Sequence, residues 1–188
     1  MRWGRRKASR VLVLGGARSG KSVTAERMLD GQEHVDYVAT GAVPDDADPE
    51  WAARVNTHRM RRPAGWTTLE TRELEPVLSA SAPIRLGTPV LVDCLSTWLA
   101  GIMDDLGVWE EQPGAGKELA ARADGLVDAW RSTRRRVVAV SNEVGSGVVP
   151  ATVSGIRYRD ELGVLNARIA AESDQVWYCV AGIPRRIK

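Results

Sequence analysis

Phenylalanine is absent from the 188 residues, and cysteine and histidine occur only twice each. With seven tryptophans and no phenylalanine, tryptophan is expected to fill some of the core aromatic positions. Cys94 and Cys179 each lie in an apolar run that reads as a buried strand or its end, so two free thiols are expected rather than a disulfide. With His34 and His58 the only histidines, too few soft ligands are grouped for a structural zinc. No stretch approaches the roughly 18 consecutive apolar residues of a membrane span. No apolar segment with a cleavage site follows the first residues, so no secretory leader is read and a cytoplasmic protein is expected. The formal net charge of +2 is too small to mark a nucleic-acid surface. Part of it sits in MRWGRRKASR, where residues 1–9 read as a basic, disordered arm. The chain also lacks N-K-x-D, which removes support for an ordinary GTPase guanine pocket, and the protein-kinase signatures H-R-D and D-F-G.

What remains is one α/β domain over residues 10–188. Short apolar runs at 10–14, 34–40, 89–95, 135–145 and 175–181 read as strands, the last being the final strand, with a further short strand at 66–70. Between them lie amphipathic stretches at 19–29, 50–62, 73–80, 95–103, 117–132 and 159–172 that read as helices. This alternation predicts a mostly parallel sheet covered by helices on both faces.

Gly15-Gly16-Ala17-Arg18-Ser19-Gly20-Lys21-Ser22 matches G-x-x-x-x-G-K-[ST], with a predicted strand before it and a helix after it. Glycines let the backbone curl so that its N–H groups form an anion nest, and the helix N-terminus adds partial positive charge. Lys21 can reach the β- and γ-phosphates, and the Ser22 hydroxyl can ligate Mg²⁺. Asp93 closes the apolar strand PVLVD, where such a fold places an acidic residue beside the metal. Asn142-Glu143 closes another strand, ahead of Gly145 and Gly147. That pair suits a polar site in which Glu143 accepts a proton or helps to hold the metal.

Arg54, His58 and Arg62 recur every four residues, with Arg59 and Arg61 beside them. A solvated basic helix explains the pattern. So does a phosphate-handling face, on which arginines hold phosphates by bidentate hydrogen bonds and disfavour protonation of the imidazole.

GGARSGKS at 15–22, AARVNTHRMRRP at 52–63, LVDCLSTWL at 91–99, VSNEVGSGVVP at 140–150 and the C-terminal VLNARIAAESDQVWYCVAGIPRRIK together resemble the bifunctional adenosylcobinamide kinase / adenosylcobinamide-phosphate guanylyltransferase of cobalamin biosynthesis. The resemblance runs from Val11 to Lys188. It implies a P-loop NTPase fold of RecA-like type and two reactions. A nucleoside triphosphate, ATP or GTP, phosphorylates the aminopropanol hydroxyl of adenosylcobinamide. GTP then transfers GMP to adenosylcobinamide phosphate, giving adenosyl-GDP-cobinamide and pyrophosphate. The family works through a guanylylated histidine in an R-[IV]-x-x-H motif, which places that role on His58, with Lys21 as the second catalytic residue. Nucleotide contacts implied by the resemblance are residues 15–22, Thr40, Gly41, Ala42, Arg59, Met60, Arg61, Arg62, Glu70 and Asp93, with Ser22 and Asp93 near Mg²⁺. Gly41 and Ala42 offer backbone contacts only, and some relatives carry Glu in place of Asp93. A homo-oligomer, by resemblance a trimer, is also implied. The residues alone leave two other readings open: a monofunctional small-molecule kinase that does not need His58, and a RecA-type ATPase module.

Overall fold

The computed structural model describes residues 10–41, 53, 60, 62–79 and 87–188. Residues 1–9, including the basic arm, and most of the stretch carrying the predicted helix at 50–62 lie outside the described residues. The described strands are β1 (Arg10–Gly15), β2 (Asp36–Ala39), β3 (Thr67–Glu70), β4 (Val90–Asp93), β5 (Val137–Asn142), β6 (Gln175–Val180) and β7 (Ile183–Arg186). The described helices are α1 (Lys21–Met28), α2 (Leu74–Leu78), α3 (Leu95–Asp105), α4 (Ala115–Ser132) and α5 (Val153–Glu172).

The strands form one sheet in the order β3-β2-β4-β5-β1-β6-β7, parallel throughout except for β7. Strand side chains alternate between faces, and both faces are buried, which is why β1 reads as continuously apolar. Leu12 and Leu14 join Val90, Val92, Val137 and Ala139 in a core completed by residues of α2, α3, α4 and α5. Val11 and Val13 point the other way, packing with Val138 and Val140 and with Ala25 of α1. Trp98 and Trp130 have no exposed surface, so tryptophan does occupy core aromatic positions. Truncating either to alanine costs about 3–5 kcal/mol. Cys94 and Cys179 are buried free thiols.

Two elements depart from the sequence expectation. The chain continues past β6 into β7, an antiparallel return strand joined through Ala181 and Gly182 at positive φ. All four residues of β7 are exposed and one is proline, so no burial pattern marks it as a strand. Helix α5 begins at Val153, six residues earlier than the predicted start at Arg159. Thr152 provides the cap, its hydroxyl accepting from the Gly155 amide at 3.1 Å. The glycines at 145 and 147 mask this start.

The opposite end of the sheet from the site is tied by a buried ion pair. Arg135 donates to Asp36, both side chains being 5% exposed or less. The same guanidinium donates to the carbonyls of Thr88 and Val77 at 2.9–3.0 Å.

Candidate active site

Chain connectivity creates a crevice between β1 and β5. After β1 the chain runs through α1 on one face to β2, and after β5 it runs through α5 on the other face to β6. The two connections leave in opposite directions, which opens a cleft at the carboxyl ends of these strands. Gly15 and Asn142 pair across it in register, and the Glu143 amide donates to the Gly15 carbonyl at 3.1 Å. Farther along the same edge, Ala39 is in register with both Asp93 and Glu70. The predicted strand-end residues therefore share one edge of the sheet, although they come from four different strands.

The glycine loop leaves β1 at this edge. A Cβ at Gly15 would stand 2.4 Å from Ser19 Oγ and 2.7 Å from the Cys179 carbonyl, so glycine is the residue this turn accepts. Gly20 caps α1 at φ 89°, supplying no side chain to the first-turn amides, and that turn carries no acidic residue. The positive end of α1 thus faces the loop without side-chain neutralisation. Lys21 is buried, and its ammonium donates to the Gly16 carbonyl at 3.0 Å, folding over the loop it would share with phosphates. Ala17 and Arg18 are exposed, Arg18 at φ 56°.

Ser22 and Asp93 meet at the base of the loop, with Oγ 3.5 Å from Oδ1. Magnesium takes hard oxygen ligands at about 2.0–2.1 Å in octahedral geometry, so neighbouring ligand oxygens lie about 3 Å apart. A hydroxyl and a carboxylate oxygen at 3.5 Å fit that requirement with small adjustment. No cluster of three or more His, Cys, Asp or Glu occurs among the described residues. The pair suits an ion completed by substrate phosphates and water, as Mg²⁺ habitually is. The other carboxylate oxygen of Asp93 accepts from the Tyr37 hydroxyl at 2.7 Å. Burial, and then the Asp93 charge, pushes the Tyr37 phenol far above its ordinary range, so it stays protonated and donates. Arg62 lies over the Tyr37 ring, 3.4 Å from its centroid, and donates to Thr68 of β3 at 2.8 Å.

The remaining expected residues divide sharply. Thr40 is buried, and its hydroxyl donates to the Cys94 carbonyl at 2.6 Å and accepts from the Cys94 amide at 3.0 Å. Its side chain therefore ties β2 to β4. Gly41 is half-buried at the same edge, Glu70 is exposed at the end of β3, and Met60 is 88% exposed. Asn142 and Glu143 flank the crevice. The Asn142 carbonyl accepts from Asn166 of α5 at 2.9 Å, and the Glu143 carboxylate accepts from the Gly145 amide at 2.6 Å. At least one Glu143 oxygen thus shapes its own loop. Ala42, Arg54, His58, Arg59 and Arg61 lie outside the described residues. Tyr37 was not anticipated: in HVDYVAT it reads as one more core aromatic, and only its partner reveals the hydroxyl's use.

A parallel sheet with a glycine-rich phosphate loop after β1 and an acidic residue at the end of β4, one strand removed from β1, defines a P-loop nucleotide-binding protein of RecA-like type. Comparison with known families narrows the class. The family described as cobinamide kinase / cobinamide phosphate guanyltransferase matches residues 11–187, and the chain belongs to it. The bifunctional adenosylcobalamin biosynthesis protein CobU of Escherichia coli is 36% identical over 95% of this chain and 99% of its own length. Its namesake from Salmonella typhimurium is 38% identical over the same shares. CobP of Pseudomonas aeruginosa, described in the same words, is 39% identical over 95% of this chain and 97% of its own. Among solved structures, the P4 protein from bacteriophage phi6 in complex with ADP is a remote neighbour, with 18% identity, TM-score 0.42, and coverage of 98% of this chain and 57% of that one. No described helix is long and apolar enough to cross a membrane.

Proposed function

We propose that the chain performs both reactions of its family at one nucleotide site, with the phosphate loop serving each reaction and His58 serving the second as a covalent nucleophile. The observation that carries this reading is the meeting of Gly15–Ser22 and Asp93 at one sheet edge, with Tyr37 linking Asp93 to Arg62, in a chain whose Arg54-Val55-Asn56-Thr57-His58 segment fits the family's histidine motif. Four peptide links join His58 to Arg62, a span of at most about 14 Å when fully extended.

In the first reaction, the aminopropanol hydroxyl of adenosylcobinamide gives up its proton to solvent as its oxygen forms a bond to the γ-phosphorus of ATP or GTP. The γ-phosphorus-to-bridging-oxygen bond breaks, and the nucleoside diphosphate leaves. Loop amides and Lys21 hold the phosphate oxygens in line. Mg²⁺ at Ser22 and Asp93 supplies charge neutralisation on those oxygens when bound. In the second reaction, an imidazole nitrogen of His58 attacks the α-phosphorus of GTP, and pyrophosphate departs. An oxygen of adenosylcobinamide phosphate then attacks the same phosphorus, giving adenosyl-GDP-cobinamide and returning the histidine. Splitting the displacement this way avoids direct attack of one polyanion on another. Arg59, Arg61 and Arg62 supply charge for the transferring phosphoryl group.

Separating the activities tests the reading. His58→Ala should lose GMP transfer while keeping much of the phosphorylation, and Lys21→Ala should lose phosphorylation. Guanylyl transfer at the wild-type rate in His58→Ala would show that the nucleophile is elsewhere, and would favour a single-displacement enzyme.

A further inference from the structure

Tyr37 touches both halves of the proposed site. Its hydroxyl donates to Asp93 Oδ2 at 2.7 Å, and its ring carries the Arg62 guanidinium at 3.4 Å from the centroid. The residue is 2% exposed, on β2 between Val38 and Asp36, and packs in the core on the α1 face. We infer that Tyr37 is a positioning residue with two separable duties. Its hydroxyl fixes the carboxylate of Asp93 so that Oδ1 faces Ser22, and its ring seats the Arg62 guanidinium. The inference rests on the nucleotide-site reading above.

A carboxylate at a strand end is free to rotate about two bonds. With Oδ2 held by a buried phenol, Asp93 keeps one orientation, and that orientation places Oδ1 at 3.5 Å from Ser22 Oγ. A buried phenol needs a partner for its hydroxyl, and here that partner is the carboxylate best placed for the metal. On the other side, Arg62 is held by two neighbouring strands: the Tyr37 ring on β2 and Thr68 on β3 at 2.8 Å. Its buried Nε has no hydrogen-bond partner, so the aromatic face and Thr68 account for its placement. Phenylalanine at position 37 would keep the ring contact and lose the hydroxyl, and leucine would lose both.

The test uses the full chain. Mn²⁺ binding to the GDP complex is followed by electron paramagnetic resonance, and self-labelling by α-labelled GTP is timed across a metal titration. Outer partners of metal ligands typically govern 10–100-fold in metal affinity. Tyr37→Phe should weaken Mn²⁺ by about tenfold or more, and its labelling deficit should close as metal is raised. Tyr37→Leu should show a further deficit that no metal concentration closes. Arg62→Gln should share that deficit, and the Tyr37→Leu/Arg62→Gln double variant should be no worse than the poorer single variant. Unchanged Mn²⁺ affinity in Tyr37→Phe overturns the first duty. Recovery of Tyr37→Leu at saturating metal, or additive losses in the double variant, overturns the second. Should Tyr37→Leu not fold, Tyr37→Phe still decides the first duty, and Tyr37→Met, alone and with Arg62→Gln, replaces the leucine variant for the second. A wild-type chain that takes no label defeats the covalent-histidine reading instead, and leaves the Mn²⁺ arm standing.

Discussion

Ser22 and Asp93 stand 71 residues apart in sequence, and their side-chain oxygens lie 3.5 Å apart at the mouth of the β1–β5 crevice. Asp93→Asn keeps the shape and removes the charge. It should lower phosphoryl transfer by about 10²–10³-fold, the usual effect of removing one preorganised group at a site of developing charge. Nucleotide binding in the absence of metal should change little. Steady-state kinetics with a metal titration, beside GDP binding in chelator, separates the two effects.

Gly15 gives a prediction of a different kind. Gly15→Ala puts a methyl within 2.4 Å of Ser19 Oγ and 2.7 Å of a backbone carbonyl. Overpacking of this kind costs about 1–3 kcal/mol, which for a chain of this size lowers Tm by roughly 2–12 °C. The Ser19 oxygen can rotate away, but the Cys179 carbonyl cannot, so the loop itself must shift and nucleotide affinity should fall as well. Calorimetry with and without GDP measures both.

The Asp36–Arg135 pair is buried at the far end of the sheet from the site. Asp36→Ala leaves a buried guanidinium without its counter-ion and should destabilise the fold by about 3–5 kcal/mol. The remaining bonds from Arg135 to the Thr88 and Val77 carbonyls offset part of that loss. Under conditions where the variant is folded, the KM for nucleotide should equal that of the wild type. Urea unfolding read beside initial rates makes the comparison.

Alkaline pH should weaken the fold through Tyr158. Burial, and then the neighbouring Cys94, pushes this phenol up from 10.0 to about 12. A phenol whose folded value lies above its unfolded one holds its proton more tightly when folded. Its contribution is fully present below pH 10 and is lost as pH rises from there through about 12. Tyr158→Phe removes this group, and with it the hydrogen bond to the Ser96 carbonyl at 3.0 Å. The variant should start less stable at neutral pH and lose less between about pH 10 and 12. Urea midpoints across that range give the two slopes.

How far the sequence could be read depended on whether a residue's role was local. The phosphate loop was legible because its chemistry lies within eight consecutive residues, and the structure shows them at the end of β1 with Gly20 capping α1. Asp93 was legible from its position at the end of an apolar run. The parallel sheet followed from strands and helices in alternation, but its order did not, because pairing of β4 with β5 and of β5 with β1 is non-local. Strand β7 escaped because an exposed edge strand needs no apolar pattern. The hydrogen bonds that join the Thr40 hydroxyl to Cys94 across β2 and β4 were not legible, because that pairing too is non-local. Tyr37 was hidden for the converse reason. A tyrosine inside an apolar strand looks like core until the neighbouring strand supplies Asp93. The basic run around His58 allowed two readings from spacing alone, since arginines at helical intervals suit solvent as well as phosphate; the phosphate reading is the one proposed above from the family resemblance.

The central claim concerns one imidazole. Purified full-length protein is incubated with GTP and Mg²⁺ without any corrinoid, digested under alkaline conditions, and its peptides are sequenced by mass spectrometry. A phosphorus–nitrogen bond to histidine is labile to acid and stable to alkali, so the account predicts a single GMP adduct on the peptide containing His58, lost on brief acid treatment and discharged by adenosylcobinamide phosphate. An adduct on any other residue, or none in a preparation that still converts adenosylcobinamide phosphate to adenosyl-GDP-cobinamide, would contradict it.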